Sequence, residues 1–332
     1  MTFRLDPALP ASEALRTVAL DELDLAHISL ATPPDRHKGV HSARKCFKRL
    51  RSLLVLARPG MPEPVYADLD ARVARIGKEL AAARDAHALL DAVNTLERNT
   101  DSGLGEGPME ALRGWLRERR KAAERNLEQS SAAQSLQSLL ELRPRFTGLA
   151  VYPNDFTPLA KGLERSYRGA RQQFKTARAS KDSDAFHDWR KGVQQHWRQM
   201  QLLAPCWPSG LGARAEAAKT LSQVLGDDHD IAMLMHLVTA PTMTFGSPGD
   251  VSGFLKRCKL RIGALRKDAK DRGERLFIEK PKPFASRVQA DWTALAAGAI
   301  QPVAAPRQEG NVVAIGDARS GLTNRTGHGS QS

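Results

Sequence analysis

Apolar residues return at three- and four-residue spacing almost without interruption from Pro10 to Trp292, and glycine and proline gather between the runs. The pattern predicts helices at about 11–30, 36–58, 66–98, 108–142, 156–180, 184–204, 211–239 and 250–277, with a short last one near 284–296. Breaks are expected at "TPPD", "RPGMPEP", "NTDSGLGEGP", "YPNDFTP", "SKDSD", "PCWPSG" and "TAPTMTFGSPGD". No run of alternating strand residues interrupts the series, so the expected fold class is all-α. Residues 1–10 read as an N-terminal extension. From about Ala297 the chain turns to Gly, Ser, Thr and Asn with little periodicity, which predicts a disordered tail over 297–332.

The runs repeat one another. "VHSARKCFKRLRSLLVL" resembles "FHDWRKGVQQHWRQMQLL" when His41 is laid on His187, which sets Arg44 on Arg190 and Lys45 on Lys191. Further on, "IGKELAAARDAHALLDAV" resembles "LSQVLGDDHDIAMLMHLV", with Asp85 on Asp230. Asp85 follows His41 by 44 residues and Asp230 follows His187 by 43. Matched landmarks at nearly equal spacing predict an internally duplicated helical bundle. Each repeat would hold about four helices, one over 11–148 and the other over 156–296.

Taking 100° per residue, Val40, Ala43, Phe47, Leu50 and Leu54 fall within about 80° and form a stripe for the core. His41, Arg44, Lys45, Lys48, Arg51 and Ser52 cover about the next 120°. The second copy follows the same plan. Phe186, Trp189, Val193, Trp197 and Met200 form its apolar side, and His187, Arg190, Lys191 and Arg198 its basic side, with Gln194 between them. A solvated face ordinarily mixes acids with bases at i,i+4, because like charges there are destabilising. No acid occurs between Arg36 and Arg58. The helix before the second copy adds another one-signed stripe of Arg168, Arg171, Lys175 and Arg178, beside an apolar face of Leu163, Tyr167, Ala170 and Phe174.

Composition gives these faces a direction. Fifty Lys and Arg stand against 37 Asp and Glu, a net charge of +13, while 41% of residues are hydrophobic. This is a folded chain with a polyanion for a partner: nucleic acid, an acidic membrane surface or a phosphate polymer. Arg offers a planar fork to phosphate oxygens, Lys a point charge, and a His among phosphates is pushed toward its charged form. Donors one turn apart suit a repeating chain of phosphates. Aromatics are 5% and sit on apolar faces, so stacking platforms for single strands are missing. No helix-turn-helix, zinc-finger or RNA-module pattern occurs. Polyphosphate therefore fits better than DNA or RNA, which charge alone leaves open. Cys46, Cys206 and Cys258 form no CxxC pair, and no stretch is long and apolar enough for a membrane helix. Together with an N-terminus unlike a signal peptide, this leads to the expectation of a cytoplasmic protein without a membrane partner.

His-x-x-Arg opening a basic helix, twice, each followed by a Leu-rich helix ending in Arg84-Asp85 or His229-Asp230, resembles the CHAD family, the conserved histidine α-helical domain. "GERLFIEKPKPFASRVQADW" resembles the end of such domains, so the likeness spans about residues 11–293. The resemblance implies two pseudo-repeated four-helix units facing one another across a basic cavity. It also implies binding of inorganic polyphosphate and targeting to polyphosphate granules, with granule proteins as possible partners, no cofactor and no catalytic role. Its signature falls on His41, Arg44, Lys48, Arg51, His187 and Arg190. The second copy departs from the pattern: Gln194 stands where a Lys is usual, and Trp197 where an Arg is usual, with Arg198 one place later. The Glu-x-Glu-x-Lys strand of the triphosphate-tunnel domain often joined to this family is absent from the sequence.

Arg84, Asp85, His229 and Asp230 read either as groups that orient the basic face or as structural pairs within the bundle. His-Asp dyads on helices also raise a metal-dependent phosphohydrolase. The duplication does not preserve them, since His187-Asp188 answers to His41-Ser42, and no metal site is assigned.

Overall fold

The computed structural model describes residues 3–33, 35–98, 106–126, 132–240 and 246–298, and no strand occurs among them. The tail expected from Ala297 lies, beyond Gly298, outside the described residues. Helix α1 (Ala11–Ala31) buries Leu15, Val18, Leu23 and Ala26. The Asp35 carboxylate accepts the Lys38 N–H at 3.0 Å and starts α2 (Arg36–Ala57), whose charge-rich sequence holds no acid in its first turn. All five residues of the apolar stripe in α2 are buried, Val40 at 6% exposure and the rest at 2% or less. A 3-10 turn at Arg58–Gly60 leads into α3 (Glu63–Glu79), which has proline in its first turn.

The run expected as one helix over 66–98 is broken. Leu80 is a turn with ψ 7°, and α4 (Ala81–Arg98) starts after it. Arg44 supplies a reason. Its Nη1 donates to the Gly77 carbonyl at 2.9 Å, the acceptor that an uninterrupted helix would offer to residue 81. The run expected over 108–142 also divides, into α5 (Glu106–Asn126) and α6 (Ala132–Thr147). Here α5 pairs with α4, whereas α6 returns to α1 and α3 to bury Leu139, Leu142 and Phe146, so the chain must reverse between them. Helical periodicity on both sides hides that reversal.

Five helices follow: α7 (Thr157–Ala179), α8 (Ser183–Leu203), α9 (Pro208–Val238), α10 (Pro248–Leu276) and α11 (Pro281–Ala296). The order of pairing in the first half recurs in the second. As α1 lies on α2, so α7 lies on α8. The pairs α2–α3 and α4–α5 are answered by α8–α9 and α9–α10, and α11 returns to α7 as α6 returns to α1. A 3-10 turn follows α8 as one follows α2. Among the described residues no helix is long and apolar enough to cross a membrane.

The large core lies between α1, α2, α3, α6, α7, α8 and α11, together with the N-terminal part of α9. Residues 3–10, expected as an extension, join it: Leu5 is 1% exposed and its N–H donates to the Leu202 carbonyl at 2.9 Å. A second, smaller cluster joins α4 and α5 to the distal parts of α9 and α10 through Val93, Leu112, Leu234 and Phe254. The two halves meet closely where α7 crosses α2. A Cβ at Gly162 would lie 2.0 Å from the Leu56 carbonyl oxygen. In the second half, Arg214 donates from Nε to His196 Nε2 at 2.9 Å and from Nη2 to the Leu276 carbonyl at 2.6 Å. The Tyr167 hydroxyl donates to the Glu279 carbonyl at 3.1 Å in the same network. His196 is wholly buried with Nε2 accepting, and burial holds its pKa well below the usual value, so the ring is neutral.

Three outcomes follow for stability. Gly162→Ala should destabilise by about 1–3 kcal/mol through overpacking. Gly169→Ala, where a Cβ meets nothing, should stabilise by about 0.5–1 kcal/mol; thermal unfolding of both variants checks this. His196 titrates lower in the folded protein than the 6.5 of the free ring. Its contribution is therefore fully present above about pH 6.5 and is lost below it, at about 1.4 kcal/mol per pH unit, as urea unfolding at descending pH would read.

Candidate cationic site between the basic helices

Helices α2 and α8 lie side by side, and Gln195 Nε2 donates across to the Ser52 carbonyl at 3.3 Å. His41, Lys45 and Lys48 are exposed on α2, and Lys191 is exposed on α8 with a 2.8 Å ion pair to Asp188. Arg44 is half-buried and spends one N–H on Gly77. Arg51 makes a bidentate pair with Asp70 of α3 at 2.7 and 3.0 Å, so one cation of the row is already met by an acid the sequence reading did not identify. Ser52 is buried rather than on the basic face, and its hydroxyl donates to the Lys48 carbonyl.

On α8, His187 is half-buried with its ring stacked on His229 of α9, centroids 4.3 Å apart. Burial first, then His229, Lys191 and Arg190, hold its pKa below the ordinary imidazole value. Next to it, Arg190 leans on α9 where Gly226 leaves room, 3.4 Å from the place a Cβ would take, and its buried Nε has no hydrogen-bond partner. Arg198, expected as a groove cation, is buried at 9% exposure and donates from Nη1 to the Gln194 carbonyl at 2.9 Å.

The α7 stripe is not brought to this surface. Gly162, which meets α2, and Arg171 are nine residues apart and therefore on opposite sides of α7. Arg168 pairs with Glu164, Arg171 Nε donates to the Phe277 carbonyl at 2.9 Å, and Arg178 pairs with Glu274 at 3.1 Å. Lys175 is exposed on the same flank. The stripe runs along the end of α10, whose terminal carbonyls favour positive charge.

Of the four expected orienting residues, Arg84 and Asp85 belong to α4, but their side chains lie outside the described residues. His229 is in direct ring contact with His187. Asp230 faces a cavity of about 180 Å³ between α4, α9 and α10, lined also by Asp91, Thr95, Asp227 and Arg261. Burial and then Asp230 raise the Asp227 pKa. Among the described residues no three His, Cys, Asp or Glu are grouped as a metal would need. Arg49, which falls about 40° beyond Lys45 at the far edge of the basic face, was not singled out from the sequence. It pairs with Glu22 of α1 at 3.1 Å and stands over the Phe3 ring.

Proton NMR titration of the free protein should find the His187 imidazole, like that of buried His196, titrating below about 6.5, and His229→Phe should move His187 upward while leaving it lowered by burial.

The sequence profile of the CHAD domain matches residues 19–239. Among solved structures, PptA from Streptomyces chartreusis superposes with a TM-score of 0.54 at 15% identity, covering 84% of this chain and 100% of that chain. The crystal structure of the CHAD domain from the plant Ricinus communis superposes with a TM-score of 0.51 at 16% identity, covering 89% of this chain and 95% of that chain. At such identities the likeness speaks for the fold. A comparison with curated proteins found no match. With a profile that spans well over half of its residues, and with the all-helical fold of a solved CHAD domain, this chain belongs to the CHAD domain family.

Proposed function

We propose that this protein binds inorganic polyphosphate along the cationic surface of α2 and α8, without catalysing a reaction, and that this binding carries it to polyphosphate granules in the cytoplasm. The observation that carries the reading is the packing of two basic helices against one another. One of them, α2, is 22 residues long and has no acid. Two flanks of one sign repel when adjacent, and a flexible chain of phosphates lying along them turns that repulsion into attraction. We read residues 11–296 as the binding domain and its two halves as copies of one unit, each contributing one basic helix.

The chemistry of the side chains agrees. Lys45, Lys48 and Lys191 supply exposed point charges, while Arg44 and Arg190 have forks that can meet two phosphate oxygens. His187 is neutral because its surroundings are apolar and cationic, and a phosphate beside it reverses that balance. Binding then takes up a proton, so affinity should rise as the pH falls from about 8 toward 6.

The deciding measurement is binding of a fluorescent long-chain polyphosphate at near-physiological salt, competed by single-stranded DNA of equal phosphate number. DNA should displace it poorly. Lys45→Ala, Lys48→Ala, Lys191→Ala, three exposed changes, should cost about tenfold or more and lower the salt slope by about one per lysine. Equal competition by DNA would favour a general nucleic-acid-binding protein instead. Phosphate release dependent on added divalent metal would identify a hydrolase. Calorimetry in two buffers of different ionisation enthalpy should find proton uptake that His187→Asn removes.

A further inference from the structure

We infer that Arg198 anchors an inner subsite for a single phosphoryl group, at the crossing of α2 and α8, from which the rest of a phosphate chain runs outward over the exposed lysines. This inference rests on the polyphosphate reading and adds to it a place where one unit of the chain is held.

The first observation is how half-buried arginines elsewhere in this fold are treated. Arg266 has the Asp228 carboxylate at 2.8 Å and also donates to Ser183 Oγ. Arg214 has His196, the Leu276 carbonyl and the Tyr167 ring around it. Arg198 is 9% exposed and has only the Gln194 carbonyl of its own helix, with the face of Trp197 at 5.3 Å. It forms no ion pair among the described residues. A buried guanidinium without an anion is expensive, because desolvation is not offset by a partner.

The second observation is position. Arg198 lies one turn from Gln194 and three residues from Gln195, the residue that binds the Ser52 carbonyl. In the sequence repeat, Ser52 is the residue that answers to Arg198, so at the seam one half presents a buried hydroxyl and the other a buried cation. Burial, and then the charges of Arg49 and Arg190, push the Arg198 pKa down to about 10. Arg49 is paired with the Glu22 carboxylate and Arg190 has Asp227 within electrostatic reach, whereas Arg198 has no acid among the described residues. Arg190 also has a buried Nε without a partner. A guanidinium without an acid, close to the unpartnered Nε of Arg190 and to a third cation, suits a tetrahedral dianion with several acceptor oxygens. The enclosure of Arg198 limits the subsite to one phosphoryl group, and Lys48 and Lys191 lie outside it in solvent.

The surface lysines should then govern long chains, and Arg198 should govern short ones. The probes are tripolyphosphate and long-chain polyphosphate, measured by calorimetry with the whole protein. Arg198→Met should weaken tripolyphosphate binding about tenfold or more, with a loss of only a few-fold for the long chain. The same variant, without ligand, should melt no lower than the wild type, since it removes an uncompensated buried charge. Arg198→Lys should restore part of the affinity, because it keeps the charge without the fork. In the unaltered protein, one stoichiometric equivalent of tripolyphosphate should shift the Arg198 Nε–H resonance, assigned by its disappearance in Arg198→Lys. Unchanged tripolyphosphate affinity in a less stable Arg198→Met variant, or an unshifted Nε–H, would overturn the subsite while leaving the long-chain reading intact. A wild type that binds neither probe would overturn both.

Discussion

Burial of the apolar stripes on α2 and α8 is the constraint from which the rest follows. Each stripe is narrow, and each is bordered directly by cations. Once Val40, Phe47, Leu50 and Leu54 are placed in the core on one side, and Phe186, Trp189, Val193 and Met200 on the other, the basic borders have no freedom to turn away. Hydrophobic burial thus sets charges of one sign close together, although their mutual repulsion opposes it. Gly162 tightens the arrangement by letting α7 approach the α2 backbone.

The fold deals with its arginines in two ways. At helix seams they meet acids or carbonyls: Arg49 with Glu22, Arg51 with Asp70, Arg266 with Asp228, Arg171 with the end of α10. These contacts fasten one helix to the next, and Arg44 even divides α3 from α4 by taking the carbonyl of Gly77. Along the meeting of α2 and α8 the treatment differs, because Arg198 has only a carbonyl of its own helix and the Nε of Arg190 has no hydrogen-bond partner. Cations of the first kind are structural whatever the ligand. Those of the second kind are where the proposed phosphate chain would gain most.

His187 belongs to this second group by a different route. In water its ring would be half-charged near pH 6.5, but burial and the company of His229, Lys191 and Arg190 keep it neutral. On the polyphosphate reading proposed above, its protonation state would report whether the chain of phosphates is bound. A lysine in the same place would repel its neighbours at any physiological pH, whereas a histidine with a lowered pKa stays neutral near pH 7 until a negative charge beside it favours the cation.

The linear order of residues was enough to determine the helical class, the buried stripes of α2 and α8 and the cationic character beside them, because these are set by spacing within one helix. It also carried the match between His41 and His187 and between Asp85 and Asp230. It could not reveal that the run 66–98 bends at Leu80, since the cause is a guanidinium from another helix, nor that 108–142 reverses, since the reason is a core on α1. Only the tertiary structure decided which cations stand together. The stripe of Arg168, Arg171 and Lys175 is as basic as the others in sequence, yet it faces the end of α10 because Gly162 turns the opposite side of α7 to α2. Likewise Arg198 and Arg51 read alike as members of a basic face. One is paired by Asp70 and the other is buried without an acid, a difference made by residues distant in the chain and adjacent only after folding.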